Sequence, residues 1–244
     1  MTEPSAALRS EMAPTGTLRV ANNMSNFLLT RKDPATGEAA GVAVDMGKEL
    51  ARRLGVPVKI LQYESPGKVA DDASRGVWDV GFIGAEPQRA NEIDFSAAYV
   101  EIEATYLVPP GSPIDSIADV DRPGARIAIS ERSAYDLYLT RTLKHAELVR
   151  IRGADEVFKR FVGDRLTALA GLRPRLITDQ ANMPGSRILD GNFTSVQQAA
   201  GVPKGRPMAF KYLCEFIEEA KASGLVGRLI ADNRVLGLTV APKA

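Results

Sequence analysis

Residues 79–99 read Asp-Val-Gly-Phe-Ile-Gly-Ala-Glu-Pro-Gln-Arg-Ala-Asn-Glu-Ile-Asp-Phe-Ser-Ala-Ala-Tyr, a short apolar run followed by a turn of small residues and then a cation. That order outlines an anion site. Gly84 and Ala85 leave backbone N–H groups open to a ligand, Pro87 suits the first turn of a helix, and Arg89 offers a planar fork of donors that fits a carboxylate. Taken alone, Arg89 reads equally well as an ordinary surface arginine. Glu86 is either a solvated acid or one that faces a cationic or hydroxyl group of a ligand. A second stretch, Ile129-Ser-Glu-Arg-Ser-Ala-Tyr-Asp, ends a strand and begins a helix, so Ser130 and Ser133 stand where free N–H groups meet an anion. Ser133 also reads as a plain capping serine, and the two roles are compatible. Tyr63 at a strand end and Tyr135 in a first helical turn are candidates to cover an apolar ligand body, or to be core.

These residues need elements to hold them. Leu18 to Ala21 reads as a strand, and Val44, Gly47, Leu50, Ala51 and Leu54 form one helical stripe that stops at Gly55. Val58 to Tyr63 is the next strand, Lys68 to Arg75 a helix, and Val80 to Ile83 a third strand. The βαβαβ order predicts an α/β fold with mainly parallel sheets and helices on both faces. Pro-Pro-Gly-Ser-Pro at 109–113 is the sharpest punctuation in the chain and marks a lobe boundary. A second α/β pattern follows: strand 126–129, helix 134–143, strand 147–151, helix 155–162 and a very short buried strand 168–170. Residues 193–198 are extended, 201–205 form a Gly/Pro-rich link, and Phe210, Leu213, Cys214, Ile217 and Ala220 line one face of a long C-terminal helix. Ahead of all this, Pro4 and Ser5 start a short helix through Met12 that is expected to lie outside the main fold, in a packing or oligomer contact.

Composition removes whole classes. With 31 Lys+Arg against 30 Asp+Glu, the 244-residue chain has a formal charge of +1, so no bulk basic field points to nucleic acid. No apolar run is long enough to insert in a membrane. The single His145 and single Cys214 give no metal spacing, no disulfide and no Ser-His-Asp set, and no Gly-Lys-Ser/Thr phosphate loop is present, so no cofactor or metal is expected. Met1 to Gly16 has two acids and no apolar core of a secretory leader, which predicts a cytoplasmic chain as given, or a periplasmic one if it is a processed form.

The helix Gly41-Val-Ala-Val-Asp-Met-Gly-Lys-Glu-Leu-Ala-Arg-Arg-Leu-Gly, followed by Asp-Val and then Arg89-Ala-Asn-Glu-Ile-Asp-Phe-Ser-Ala-Ala-Tyr, resembles the family 3 solute-binding proteins. These are polar amino-acid receptors of ABC importers with the type II periplasmic binding-protein fold. The resemblance covers roughly residues 16 to 235. It implies a discontinuous first lobe, 1–108 plus 199–244, an inserted second lobe, 109–192, and two hinge crossings, 103–108 and 193–198. The ligand would sit between the lobes at the carboxyl ends of strands. It implies that Arg89 grips a ligand carboxylate, that Ser133 assists from the second lobe, that Gln197 adds a hydrogen bond from the hinge, and that a permease is a possible partner.

Departures from the pattern are informative. The turn before Arg89 is about two residues short and carries Ala85 and Glu86 where hydroxyls are common, and Arg132 replaces a glycine. Where the family places an aspartate for the ligand ammonium, the chain has Leu172 and Arg173, and Arg173 reads as a second carboxylate clamp or a solvated residue. At the end of the first strand, where an acid is frequent, stand Asn22, Asn23 and Asn26. An unpaired buried ammonium costs several kcal/mol. The reading is therefore a small carboxylate other than an ordinary α-amino acid, unless Glu86 substitutes as the ammonium partner. The alternative is an enzyme resembling the cyclohexadienyl dehydratases, with Glu86 as general acid.

Overall fold

The computed structural model describes residues 3–244. In chain order its elements are α1 (Ala6–Met12), β1 (Leu18–Asn23), β2 (Arg31–Lys32), β3 (Ala39–Ala40), α2 (Val42–Leu54), β4 (Val58–Tyr63), α3 (Pro66–Asp71), β5 (Val80–Gly84) and β6 (Ile93–Val108). Then come β7 (Arg126–Ser130), α4 (Ala134–Thr142), β8 (Glu147–Ile151), α5 (Ala154–Gly163), β9 (Ala168–Leu172), α6 (Arg173–Ala181), β10 (Arg187–Ile188), β11 (Thr194–Pro203), α7 (Pro207–Ala222), α8 (Leu225–Asp232) and β12 (Thr239–Val240). The chain divides into two compact units, Met1–Glu101 with Gln197–Ala244, and Ile102–Val196. The strands β6 and β11 contribute residues to both.

In the first unit, β1 lies between β4 and β5, parallel to each, with Val20 facing Ile60 and Val80 in register. Strand β11 runs antiparallel to β5, and β12 pairs antiparallel with β6 at Val100 and Glu101. Alternation along β1 sends Val20 to one face and Ala21 to the other. On the Ala21 face, Val69, Trp78, Ile83 and Ile93 close a core. On the Val20 face lies α2. Its stripe of Val44, Gly47, Leu50, Ala51 and Leu54 is buried throughout. Gly47 is required there, since a Cβ at that position would stand 2.7 Å from Val20 Cγ1. Gly55 ends the helix in the left-handed region at φ 69°, its N–H returning to the Ala51 and Arg52 carbonyls.

The second unit repeats the logic with β7 parallel to both β8 and β9, and β9 antiparallel to β6. Ile127 and Ile129 pack with Leu139 of α4, whereas Ala128 packs on the opposite face with Val157 and Phe161 of α5 and Leu176 of α6. Helices therefore cover both faces.

Several elements differ from expectation. Helix α1 does not lie outside the fold: Met12 is fully buried, Arg9 Nε donates to the Leu54 carbonyl at 2.9 Å, and Glu11 Oε1 accepts from the Ala209 N–H at 2.9 Å. Gly201, Val202 and Pro203 belong to β11 rather than to a link. The helix expected over 68–75 is α3 followed by a 3-10 turn at Ala73–Arg75. The buried stripe of α7 is Ala209, Tyr212, Leu213, Phe216, Ile217 and Ala220, which leaves Phe210 and Cys214 on its half-buried flank. No described helix is long and apolar enough to cross a membrane.

Candidate functional site

In the first unit, five of the expected residues converge where β5 ends beside β11. The anion-site reading of the turn is only partly met. Gly84 uses its carbonyl to accept Arg89 Nη1 at 2.6 Å, and the Ala85 N–H is not open, because it donates to the Gln197 carbonyl at 2.8 Å. The physical reason is that Gln198 pairs with Gly84 in register and β11 continues past the end of β5, so its next residue, Gln197, takes the next donor. Glu86 is half-buried, and its carbonyl accepts the N–H groups of Arg89 and Ala90. Those bonds make a turn, and the 3-10 segment Arg89–Asn91 follows, so Pro87 precedes a 3-10 turn rather than opening an α-helix. Arg89 itself is 5% exposed, which rules out the surface-arginine reading. A guanidinium this deep retains its charge and must have its donors met.

The remaining first-unit candidates serve the scaffold. Asn22 is fully buried, on the same face of β1 as Val20 and so beneath α2. Its Nδ2 reaches the Val20 carbonyl at 3.4 Å and its Oδ1 has no partner, an arrangement that costs about 1–3 kcal/mol. Asn26 shapes the loop after β1: its Oδ1 accepts from the Leu28 N–H, and its carbonyl accepts from Leu29, Thr30 and the Thr30 hydroxyl. Tyr63 packs with Ala21 and Trp78 and donates its hydroxyl to Asp72 Oδ2 at 2.9 Å. Burial, then the Asp72 carboxylate, push its phenol up to about 12.

In the second unit, the carboxyl ends of β7 and β9 carry the other candidates. Ser133 is the N-cap of α4, its Oγ accepting from the Asp136 N–H at 3.1 Å while its own N–H donates to the Ser130 carbonyl at 3.2 Å. The tight turn between them holds Arg132 at φ 58°, stabilised where the Arg132 N–H donates to Asp136 Oδ2 at 2.7 Å. Asp136 is buried and also accepts from Arg150 Nε at 3.0 Å, so the capping turn is clamped from outside. Burial pushes the Tyr135 phenol up, opposed by hydrogen bonds to Ser133 and Ser130 and by the nearby Arg175 charge. The structure thus joins Ser130, Ser133 and Tyr135 in one hydroxyl cluster.

Leu172 packs with Ala134, Val196 and Phe193, an apolar side chain with no capacity to hold a cation. Arg173 begins α6 and donates from Nε to Glu103 Oε2 at 2.7 Å and from Nη2 to the Gly191 carbonyl. The sequence reading missed Arg175, two residues on, which binds Asp179 at 3.0 Å and Asp155 at 3.3 Å. Only α6 makes it visible, and α6 has a weak apolar stripe. A pocket of about 370 Å³, lined by Asp115, Gln180 and Arg187, lies toward Leu107 and Val108, at the opposite end of β9 from Leu172. Among the described residues no group of three or more His, Cys, Asp or Glu can hold a metal ion.

Two α/β units joined by a pair of strands, with the candidate side chains at strand carboxyl ends, define the type II periplasmic binding-protein fold. Solved structures share it. An ancestral amino acid-binding protein, a precursor of cyclohexadienyl dehydratase, superposes with a TM-score of 0.76 at 22% identity over 94% of this chain and 99% of that one. A binding component of an ABC transporter from Wolinella succinogenes, complexed with lysine, gives 0.76 at 20% over 89% and 95%. Residues 18–232 match the model of the bacterial extracellular solute-binding proteins, family 3, and the chain belongs to that family. The ABC transporter glutamine-binding protein GlnH of Bacillus subtilis (strain 168) is 24% identical over 205 residues, 79% of this chain and 72% of its own length.

Proposed function

We propose that the chain is a solute-binding component that closes its two units around a small carboxylate ligand and delivers it to an ABC permease, or reports it as a cytoplasmic sensor. Arg89 carries this reading. It is nearly buried at the carboxyl end of β5 and tied to the Gly84 carbonyl, a position that holds one guanidinium rigidly. In the second unit, the Ser130, Ser133 and Tyr135 cluster supplies the hydroxyls for a polar anchor. The domain assignment proposed with it is 1–108 plus 199–244 against 109–192, hinged at 103–108 and 193–198.

The ligand class follows from charge. At the strand ends, Asn22 is fully buried, and the last residue of β9 is the apolar Leu172, followed by the cation Arg173. Neither offers a carboxylate to an ammonium group. A carboxylate ligand without an α-ammonium therefore fits better than an ordinary amino acid, although the relatives named above include glutamine and lysine binders. Calorimetry on matched pairs, 2-oxoglutarate with L-glutamate and 4-methyl-2-oxopentanoate with L-leucine, tests this: the oxo acid of each pair is expected to bind more tightly. Tighter binding of the amino acid, abolished by Glu86→Gln, would make this an amino-acid receptor with Glu86 as its ammonium partner. Turnover of prephenate or arogenate would replace the receptor reading with a dehydratase.

A further inference from the structure

We infer that Glu103 is an internal competitor for Arg173 and thereby sets how tightly the second unit takes a ligand carboxylate. The inference rests on the carboxylate reading above, extended to Arg173 as the second carboxylate clamp. Ala104 pairs with Leu172 in register, so Glu103 and Arg173 stand side by side where β9 ends and α6 begins. Arg173 Nε donates to Glu103 Oε2 at 2.7 Å, and Nη2 donates to the Gly191 carbonyl. The Arg173 side chain is 28% exposed and that of Glu103 is 52% exposed. An ion pair this open to water is held weakly, so an incoming anion can displace it.

The geometry sets Glu103 and an incoming carboxylate against each other. A carboxylate binds a guanidinium best through two parallel N–H bonds, along either the Nε/Nη2 edge or the Nη1/Nη2 edge. Glu103 holds Nε, on the first edge, and the Gly191 carbonyl takes one of the two hydrogens of Nη2, the nitrogen both edges share. A ligand that docks in two-pronged fashion must expel Glu103 from Nε or share Nη2, and on either edge it lies beside the Glu103 charge. Like charges at such separations repel even near a protein surface. Glutamine at position 103 keeps the side-chain length and an oxygen that accepts from Nε, so the tie to β6 survives while the charge is lost.

The test is calorimetry on the full chain as wild type, Glu103→Gln, Arg173→Gln and the double variant, with 2-oxoglutarate, 4-methyl-2-oxopentanoate and L-glutamine as probes. Removal of a partly exposed competing charge is expected to tighten the best-bound probe by about three- to fivefold in Glu103→Gln, with the melting temperature unchanged. In the Arg173→Gln background the same substitution is expected to produce no gain, because the competition has lost its object. Unchanged affinity in Glu103→Gln would reduce the pair to a structural tie and overturn the inference, as would weaker binding, which would show Glu103 holding a cationic group of the ligand. Wild-type binding with no gain in the variant overturns this inference alone. Failure of every probe to bind any of the four proteins would remove the carboxylate reading together with it.

Discussion

Sheltered arginines, buried or half-buried, divide into two kinds in this protein, and their partners tell them apart. At the amino-terminal edge of the first sheet, Asp79 has a fully buried side chain that receives Arg19 Nε and the Arg19 N–H, each at 2.9 Å, Arg19 Nη2 at 2.7 Å and Arg206 Nη1 at 3.2 Å. That is a complete internal ion network, and the hydrogen bond to Asp79 raises the Arg19 pKa further above its ordinary value. Asp79→Ala strands two guanidinium groups and is expected to cost about 3 kcal/mol, the lower end for a broken buried pair because both arginines keep some water. Chemical denaturation would register it as an earlier midpoint at unchanged slope. Arg89 is buried against a carbonyl and a turn. Arg89→Ala is expected to lower ligand affinity at least about thirtyfold, an effect of roughly 2–5 kcal/mol, with far less loss of fold stability than Asp79→Ala. A reversed ranking in the two assays would make Arg89 a structural residue.

At the scale of elements, α1 acts as a brace. Its Arg9 meets the carbonyl end of α2 at Leu54 and its Glu11 meets the amino end of α7 at Ala209, each charge placed where the helix dipole favours it. Met12 is fully buried, so Met12→Ala is expected to destabilise the fold by about 2–5 kcal/mol, and Glu11→Ala by about 1 kcal/mol. Thermal melts that leave both variants at the wild-type midpoint would show α1 to be an appendage. The sequence shows the helix, through Ser5 and Pro14, but not its docking, because seven residues with a single buried side chain carry no periodic signal. The reverse holds for α2, whose stripe of five small and apolar positions gives element, face and stop at Gly55 together. Helix α6 escaped the sequence reading for a related reason. Its buried residues are Leu176 and Asp179, so one of its two inward positions is charged. Missing α6 also hid Arg175 and left the Arg173 surroundings blank. The turn at Gly84 and Ala85 misled in another way, since whether an N–H is open depends on how far the neighbouring strand runs.

The whole molecule responds to acid through groups far from the site. Glu49 on α2 sits between Arg52 and Arg53, and the Arg52 hydrogen bond leads in holding its carboxyl down at about 2. Because the folded value lies below the unfolded one, this group adds stability above about pH 4.3 and loses it as pH falls toward 2. Arg52 is largely solvent-exposed, so the contribution is about 1 kcal/mol rather than the full linkage value. Glu49→Gln is expected to flatten the fall in melting temperature between pH 5 and pH 2 and to leave ligand binding at pH 7 unchanged.

Ligand closure is the whole-molecule consequence of the proposed function, with β6 and β11 as the proposed crossings. Each strand carries residues of both units, which on the proposed reading makes them the hinge of a domain closure. If a carboxylate is bound by Arg89 from the first unit and by the Ser130, Ser133 and Tyr135 hydroxyls from the second, the closed form gains contacts that no open form has, and the ligand shifts the population toward it. Small-angle scattering at saturating 2-oxoglutarate, or whichever carboxylate binds most tightly, is expected to show a smaller radius of gyration than the free protein. Arg89→Ala at the same ligand concentration is expected to keep the larger value. A ligand that raises the melting temperature without compaction would mean that one unit binds it alone, in a rigid site, and the two-sided reading would fall while the carboxylate chemistry stood.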